Sequence, residues 1–350
     1  MNLKASSGRQ RGFTLVEIMV AMAIGLVVAS VVVTMFAASS RSYRVTDAMG
    51  DLQESGRIAM STLQRDAHVV GYRGCNSNNL NNSAPIVNVI TTPTAYLNDF
   101  LTGIQGYQYT AGNWSPVLPA AISAPGAPVA AGPTAGTDVL LMRVVPGSPV
   151  SLNGNMANAT ADIPVVSTAG FTGGANGSRA VISNCGRATV FQVTAVDGVA
   201  NTLAHASGAN NTSASVLRSF GQQDGFVMRF ETHAYFVGPS IRDPVNERSL
   251  WLKIDDQAPV EIVENVEDMQ LLFGEDTDGD FVPNLFRTAD TVVNWNNVCA
   301  VQVSLLLRGA GQRDNQVITN YTFNGAAVTP VDRRLRRVYT ATIHLRNRTV

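Results

Sequence analysis

From Phe13 to Ala38 every side chain but one is uncharged and most are apolar; the exception is Glu17. The run exceeds the roughly 20 residues that a helix needs to cross a bilayer core, so it predicts a membrane-spanning helix. A carboxylate inside such a segment costs roughly 2 to 4 kcal/mol or more in hydrocarbon and calls for a partner. A secretory signal would account for Lys4, Arg9 and Arg11 ahead of the run and for Ala38-Ser39-Ser40 behind it. Its apolar core, however, is only about 7 to 15 residues long and needs no acid. A plain membrane anchor is the other reading, blurred by Arg41 and Arg44 on the far side.

After Ala38 the pattern stays helical but becomes two-faced. Val45, Met49, Leu52, Ala59, Leu63 and Val70 recur three, four or seven residues apart, with Asp47, Asp51, Glu54, Arg57 and Arg65 between them. That is the stripe of an amphipathic helix. No proline precedes Pro85, so one helix from about Phe13 to about Val70 is expected, roughly 85 Å long at 1.5 Å per residue. Gly25, Gly50 and Gly56 weaken it by about 1 kcal/mol each relative to alanine. Gly71-Tyr72-Arg73-Gly74 supplies a stop.

The remainder reads differently. Ser77 to Gly136 is rich in Asn, Pro, Ala and Gly and is expected to be a loop-dominated insert. From Asp138 onward strands are predicted at 139–145, 181–183, 188–196 and 201–203, with Asp197-Gly198 as a hairpin turn. Others are predicted within 225–237, 249–254 and 301–307, and at the end, where Tyr339, Ala341, Ile343 and Leu345 share a face. The predicted fold is α+β: a long N-terminal helix, membrane-spanning then amphipathic, packed on one antiparallel sheet with a solvated face. The expected divisions are 1–12, 13–38, 39–74 and a β-rich domain over 75–350.

Composition narrows the class. A net charge of -1 and 15% charged residues in 350 argue against a broad polyanion-binding surface. The three cysteines, Cys75, Cys185 and Cys299, leave at least one thiol unpaired in the chain if a bridge forms, and three buried thiols are the alternative. The four histidines (His68, His205, His233 and His344) sit in unrelated contexts, and no nucleophile elbow, phosphate loop or zinc helix is present. No enzymatic activity is expected. One basic cluster, Arg333, Arg334, Arg336 and Arg337 with Arg346 and Arg348, has the composition of a DNA phosphate patch. A solvated hairpin, or contacts to acidic neighbours, is the favoured reading of it.

Asp276, Asp278 and Asp280 alternate, with Asn284 downstream, which is the spacing of a loop that offers hard oxygen ligands to calcium. The EF-hand pattern then fails: Phe281 stands where glycine is needed and Arg287 where glutamate is needed. A shorter calcium loop, completed by remote oxygens such as Asp290, competes with a solvated acidic Asp-Gly turn. With no His or Cys nearby, calcium is the metal such a loop suits.

Arg11-Gly12-Phe13-Thr14-Leu15-Val16-Glu17 resembles the processing site of a type IV prepilin. The resemblance implies cleavage between Gly12 and Phe13 by prepilin peptidase and methylation of the new terminus. It also implies docking of Glu17 on a neighbouring subunit's terminal amine. Gly71-Tyr72-Arg73-Gly74-Cys75, Ile182-Ser183-Asn184-Cys185, the run 301–308 and the ending 337–347 are similar, in that order, to the PilW family of minor pilins. What that implies is a low-abundance structural subunit that helps initiate or cap type IV pili. It would be held by a single pass in the bacterial inner membrane, with a periplasmic domain, and then enter the fibre. Its partners would be other minor pilins and the major pilin, not nucleic acid. The family also favours a Cys75–Cys185 bridge, with Cys299 on a buried strand. Major pilins often carry a proline in the membrane half; this segment has none, so their local helix melting is not carried over. A minor pseudopilin of type II secretion shares the same N-terminal plan, and a tip adhesin or DNA-binding pilin is a further alternative.

Overall fold

The structure is a computed structural model that describes residues 12–74, 86–129, 131–184, 186–223, 225–309 and 320–348. The chain divides into two units, Met1–Asp51 and Leu52–Val350. Helix α1, Leu15–Val69, runs through that boundary, in agreement with the single proline-free helix predicted. Within the first unit the described side chains are exposed or half-buried. This part of α1 is long and apolar enough to cross a membrane. Burial begins at Leu52 and recurs at Gly56, Ala59, Met60, Leu63, Asp66 and Ala67, a stripe at helical spacing. The helix stops where expected, at Gly71 and Gly74, with φ of 74° and 69°, values that glycine adopts without steric cost.

The core of the second unit that packs on α1 is built on two sheets, of six and four strands. Its principal strands are β1 (Ile104–Thr110), β2 (Val139–Val144), β3 (Glu231–Pro239), β4 (Arg248–Ile254), β5 (Val260–Glu264), β6 (Val266–Glu275), β7 (Val298–Arg308) and β8 (Arg336–His344). One sheet of six has the order β5-β4-β3-β2-β1 followed by the short strand Asn113–Ser115. The other, of four, runs Leu285–Arg287, β6, β7, β8. Leu52, Ala59, Leu63 and Ala67 of α1, with Val70 just beyond it, join Ile104, Tyr235, Leu271, Val303 and Ile343 in one apolar core. The single sheet expected from sequence is therefore replaced by a division of the strands. Among the described residues there are five sheets. One has five strands, including Arg179–Asn184, Arg187–Gln192 and Phe226–Arg229, with its own core around Ile182, Phe191 and Val227. Its pairing of Ile86–Asn88 with Arg187–Gln192 is parallel, whereas the six- and four-stranded sheets are antiparallel throughout.

The insert expected to be mostly loop also contributes structure. β1 pairs with β2, and Ile122 and Val129 are buried in a third apolar cluster with Phe236 and Trp251. Isolated apolar residues among Pro and Gly read as loop locally, yet each fills a place against a partner distant in sequence.

Candidate functional site

At the head of α1, Gly12 and Phe13 lie outside the helix and are exposed. Thr14 and Glu17 then close a reciprocal turn. The Glu17 amide donates to Thr14 Oγ1 at 3.2 Å and the Thr14 amide points to Glu17 Oε2 at 3.5 Å. This is a capping box, in which Thr and Glu three residues apart satisfy amides that the first turn leaves without partners. The negative charge also lies at the positive end of the helix dipole. Thr-x-x-Glu ahead of an apolar run is a readable signal that the sequence reading missed. It gives the Glu17 carboxylate a local partner, and among the described residues no other chain segment bonds to it.

The acidic loop follows β6. Asp276, Asp278 and Asp280 each present a carboxylate oxygen, all within 4.8 Å of one another. Asp276 accepts the amides of Asp278 (3.2 Å), Gly279 (2.7 Å) and Phe281 (2.9 Å); desolvation would raise its carboxyl, but these bonds together hold it below the usual range. Asn284 closes the loop: its Oδ1 accepts the Thr277 amide at 2.8 Å, and its Nδ2 donates to Asp278 Oδ2 at 3.2 Å. Gly279, with φ of 84°, makes the turn. Asp290 instead accepts from Thr288 at 2.6 Å. The loop therefore gathers three carboxylates by backbone hydrogen bonds, an arrangement whose donor set suits a hard cation.

The basic cluster does not stay together. Arg334 pairs with Glu247, and Arg336 pairs with Glu267 at 2.7 Å and Asp332 at 2.5 Å. Arg348 is buried, and Arg337 lies over the Tyr339 ring at 5.4 Å. A phosphate-binding patch would need these guanidiniums exposed on one face; Arg334, Arg336, Arg337 and Arg348 are engaged within the fold. Cys75 and Cys185 lie outside the described residues. Cys299 is free and buried, and its thiol points at the Gly274 carbonyl at 3.6 Å.

A buried charge cluster went unrecognised in the sequence. Asp66 of α1 accepts from His233 Nδ1 and Tyr235 Oη, both at 2.5 Å. His233 Nε2 lies 3.2 Å from Glu231, which pairs with Arg229 at 2.8 Å. Burial alone would lower the His233 pKa, but the hydrogen bonds and charges of Asp66 and Glu231 more than offset it and raise it to about 9. The imidazole is thus a charged structural bridge between α1 and β3. His233 and Tyr235 alternate on a strand and face one way, which period-2 reading could have found. The partner Asp66, on another element, could not be found that way.

An apolar helix that opens two residues after a Gly-Phe junction, carries one acid in its first turn and continues into a β-rich domain is the arrangement that the resemblance to type IV pilins implies. The comparisons agree: residues 7–33 match the prokaryotic N-terminal methylation motif. Residues 234–347, from within β3 to the end of β8 and just beyond, match the model of Type IV Pilus-assembly protein W. The two matches cover the start and the last third of the chain, and each is to a pilin-type model. It is also 46% identical over 72 residues to the pilin-like protein PilA3 of Thermus thermophilus, a match covering 21% of this chain and 31% of that relative. No solved structure matches.

Proposed function

We propose that this chain is a minor pilin, a structural subunit that takes part in initiating or assembling type IV pili. Prepilin peptidase would cut between Gly12 and Phe13. The segment 13–38 then holds the subunit in the bacterial inner membrane, with its C-terminal domain in the periplasm, until it joins other minor pilins and the major pilin in the fibre. The observation that carries this reading is Glu17, a single carboxylate in an exposed apolar helix, bonded only to its own first turn among the described residues. In hydrocarbon such a group gains from exchanging that weak local bond for a cationic amine. A Glu17→Ala chain should be cleaved normally yet be lost from sheared fibres; incorporation at the wild-type level would overturn the mechanism. The PilW match favours a pilus over type II secretion as the destination.

A second reading concerns the acidic loop, favoured by the convergence of Asp276, Asp278 and Asp280. We propose that it takes calcium, with Asn284 holding the loop closed. Added calcium should raise the melting temperature of the purified chain, and Asp278→Asn should abolish the rise. A melting temperature indifferent to both calcium and chelator removes the idea.

A further inference from the structure

We propose that the cleft beside the end of α1 is a binding site for a carboxylate or phosphate anion, with Arg348 and Arg73 as its cationic wall. The cleft has a volume of about 540 Å³ and is lined by these two arginines, Asn294, Asn296, Asn297 and Asp276, among others. Arg348 is only 2% exposed; it donates to the carbonyls of Trp295 at 2.7 Å and Leu101 at 3.1 Å. The same Leu101 oxygen accepts from Arg73 at 2.8 Å, so two guanidiniums meet on one carbonyl. A third, Arg143, also 2% exposed, donates to the neighbouring Thr102 carbonyl at 3.0 Å and to Tyr96 at 2.9 Å.

Neutral carbonyls satisfy hydrogen bonds but cancel no charge. Among the described residues no carboxylate lies within ion-pair distance of Arg143 or Arg348, whereas Arg334 and Arg336 have found theirs. Burial, reinforced by the positive charges of Arg73 and Arg143, pushes the Arg348 pKa down to about 9, with Asp99 opposing. Asp99 itself accepts the Thr102 amide at 3.2 Å. Asp276, across the cleft, already holds three backbone amides. Arg143 and Arg348 are thus buried like charges with no carboxylate at ion-pair distance among the described residues, and an anion entering from the cleft beside Arg348 is the species that relieves them. The asparagine amides beside the arginines can donate to its remaining oxygens.

That chemistry has two sources: a free anion, or a carboxylate on a neighbouring subunit. The test titrates the full-length chain in detergent with inorganic phosphate and separately with acetate, at constant ionic strength, by calorimetry and thermal melting. One saturable site is expected, with a rise in melting temperature that follows occupancy. Asn297→Asp, an exposed change at the cleft wall, should weaken binding at least tenfold and leave the anion-free melting temperature unchanged. Arg348→Gln, where it folds, should abolish binding. No saturable binding of either anion overturns the proposal, and so does undiminished affinity in Asn297→Asp. Binding that persists in subunits assembled with other pilins identifies a free anion; binding lost on assembly identifies the neighbour's carboxylate. Only this last comparison rests on the fibre-subunit reading.

Discussion

Gly56 illustrates how one residue can be governed by what passes over it. A methyl group there would lie 2.5 Å from Cε2 and Cζ of Tyr339. That ring is not free to swing aside, because its hydroxyl donates to the Leu52 carbonyl at 3.1 Å and Arg337 covers its face. In an exposed helix, Gly→Ala stabilises by about 1 kcal/mol. Here Gly56→Ala is expected to destabilise by about 1 to 3 kcal/mol, the usual cost of overpacking, as measured by urea unfolding. Gly50→Ala, with nothing within 4 Å of its added methyl group, is the control and should be neutral or stabilising. On sequence both glycines were simply weak points in a helix. The difference between them is a contact with a residue nearly three hundred positions away.

At the scale of elements, α1 is tied to β3 by charge as well as by apolar packing. His233 is raised to about 9, above its unfolded value near 6.5. Its contribution is therefore complete below about pH 6.5 and lost as pH rises through 9. Asp66 moves the other way: burial would raise it, but the bonds from His233 and Tyr235 hold it below its ordinary value. Its contribution is lost as pH falls through that lowered pKa. Asp138 also acts on the acid side, since burial, opposed by the Leu271 and Tyr109 amides, raises it to about 7. Its contribution is complete below its ordinary value near 3.9, fades as pH rises from there and is gone above about pH 7. Unfolding free energy measured against pH should fall as pH rises from about 4 to 7 and lose a further amount, on the order of 3 kcal/mol, between about pH 6.5 and 9. His233→Gln should remove the second step and keep the first. A wild-type curve flat from pH 7.5 to 10 would refute the charged bridge.

The strands show what local pattern can and cannot carry. β4, β7 and β8 were legible because period-2 alternation survives along them, and β2 because it is a short continuous apolar run, buried on both faces. β6, ten residues long and central to its sheet, was missed. Its alternation of Met269, Leu271 and Phe273 is broken after Val266 by a register shift against β7. A β-bulge of this kind sets two residues against one, so the apolar face changes phase. The short parallel strand Ile86–Asn88 was missed for another reason: it is stabilised by Arg187–Gln192, about a hundred residues downstream.

For the molecule as a whole, the residues just beyond β8 close the second unit. Asn347 Nδ2 donates to the carbonyls of His68 at 3.2 Å and Val70 at 3.1 Å, which a helix end leaves without intrahelical partners. Arg348 adds its bonds to Trp295 and Leu101. Asn347→Ala should therefore cost about 1 to 3 kcal/mol, the penalty of leaving buried carbonyls unpaired, visible as a lower urea midpoint with an unchanged slope. An unchanged midpoint would show that water serves those carbonyls equally well.

The amino-acid order by itself determined the apolar helix, its lone acid Glu17, the junction at Gly12 and Phe13, the glycine stop and the better strands. Each depends on neighbours within a few residues, where helix and strand periods act directly. Tertiary structure decided the rest: which arginines find carboxylates, why Gly56 has no side chain, how Asp66 meets His233, and that three guanidiniums share one buried corner. Charge pairing and burial depend on which distant segments meet. A side chain's identity states its charge, and only its surroundings state what that charge costs.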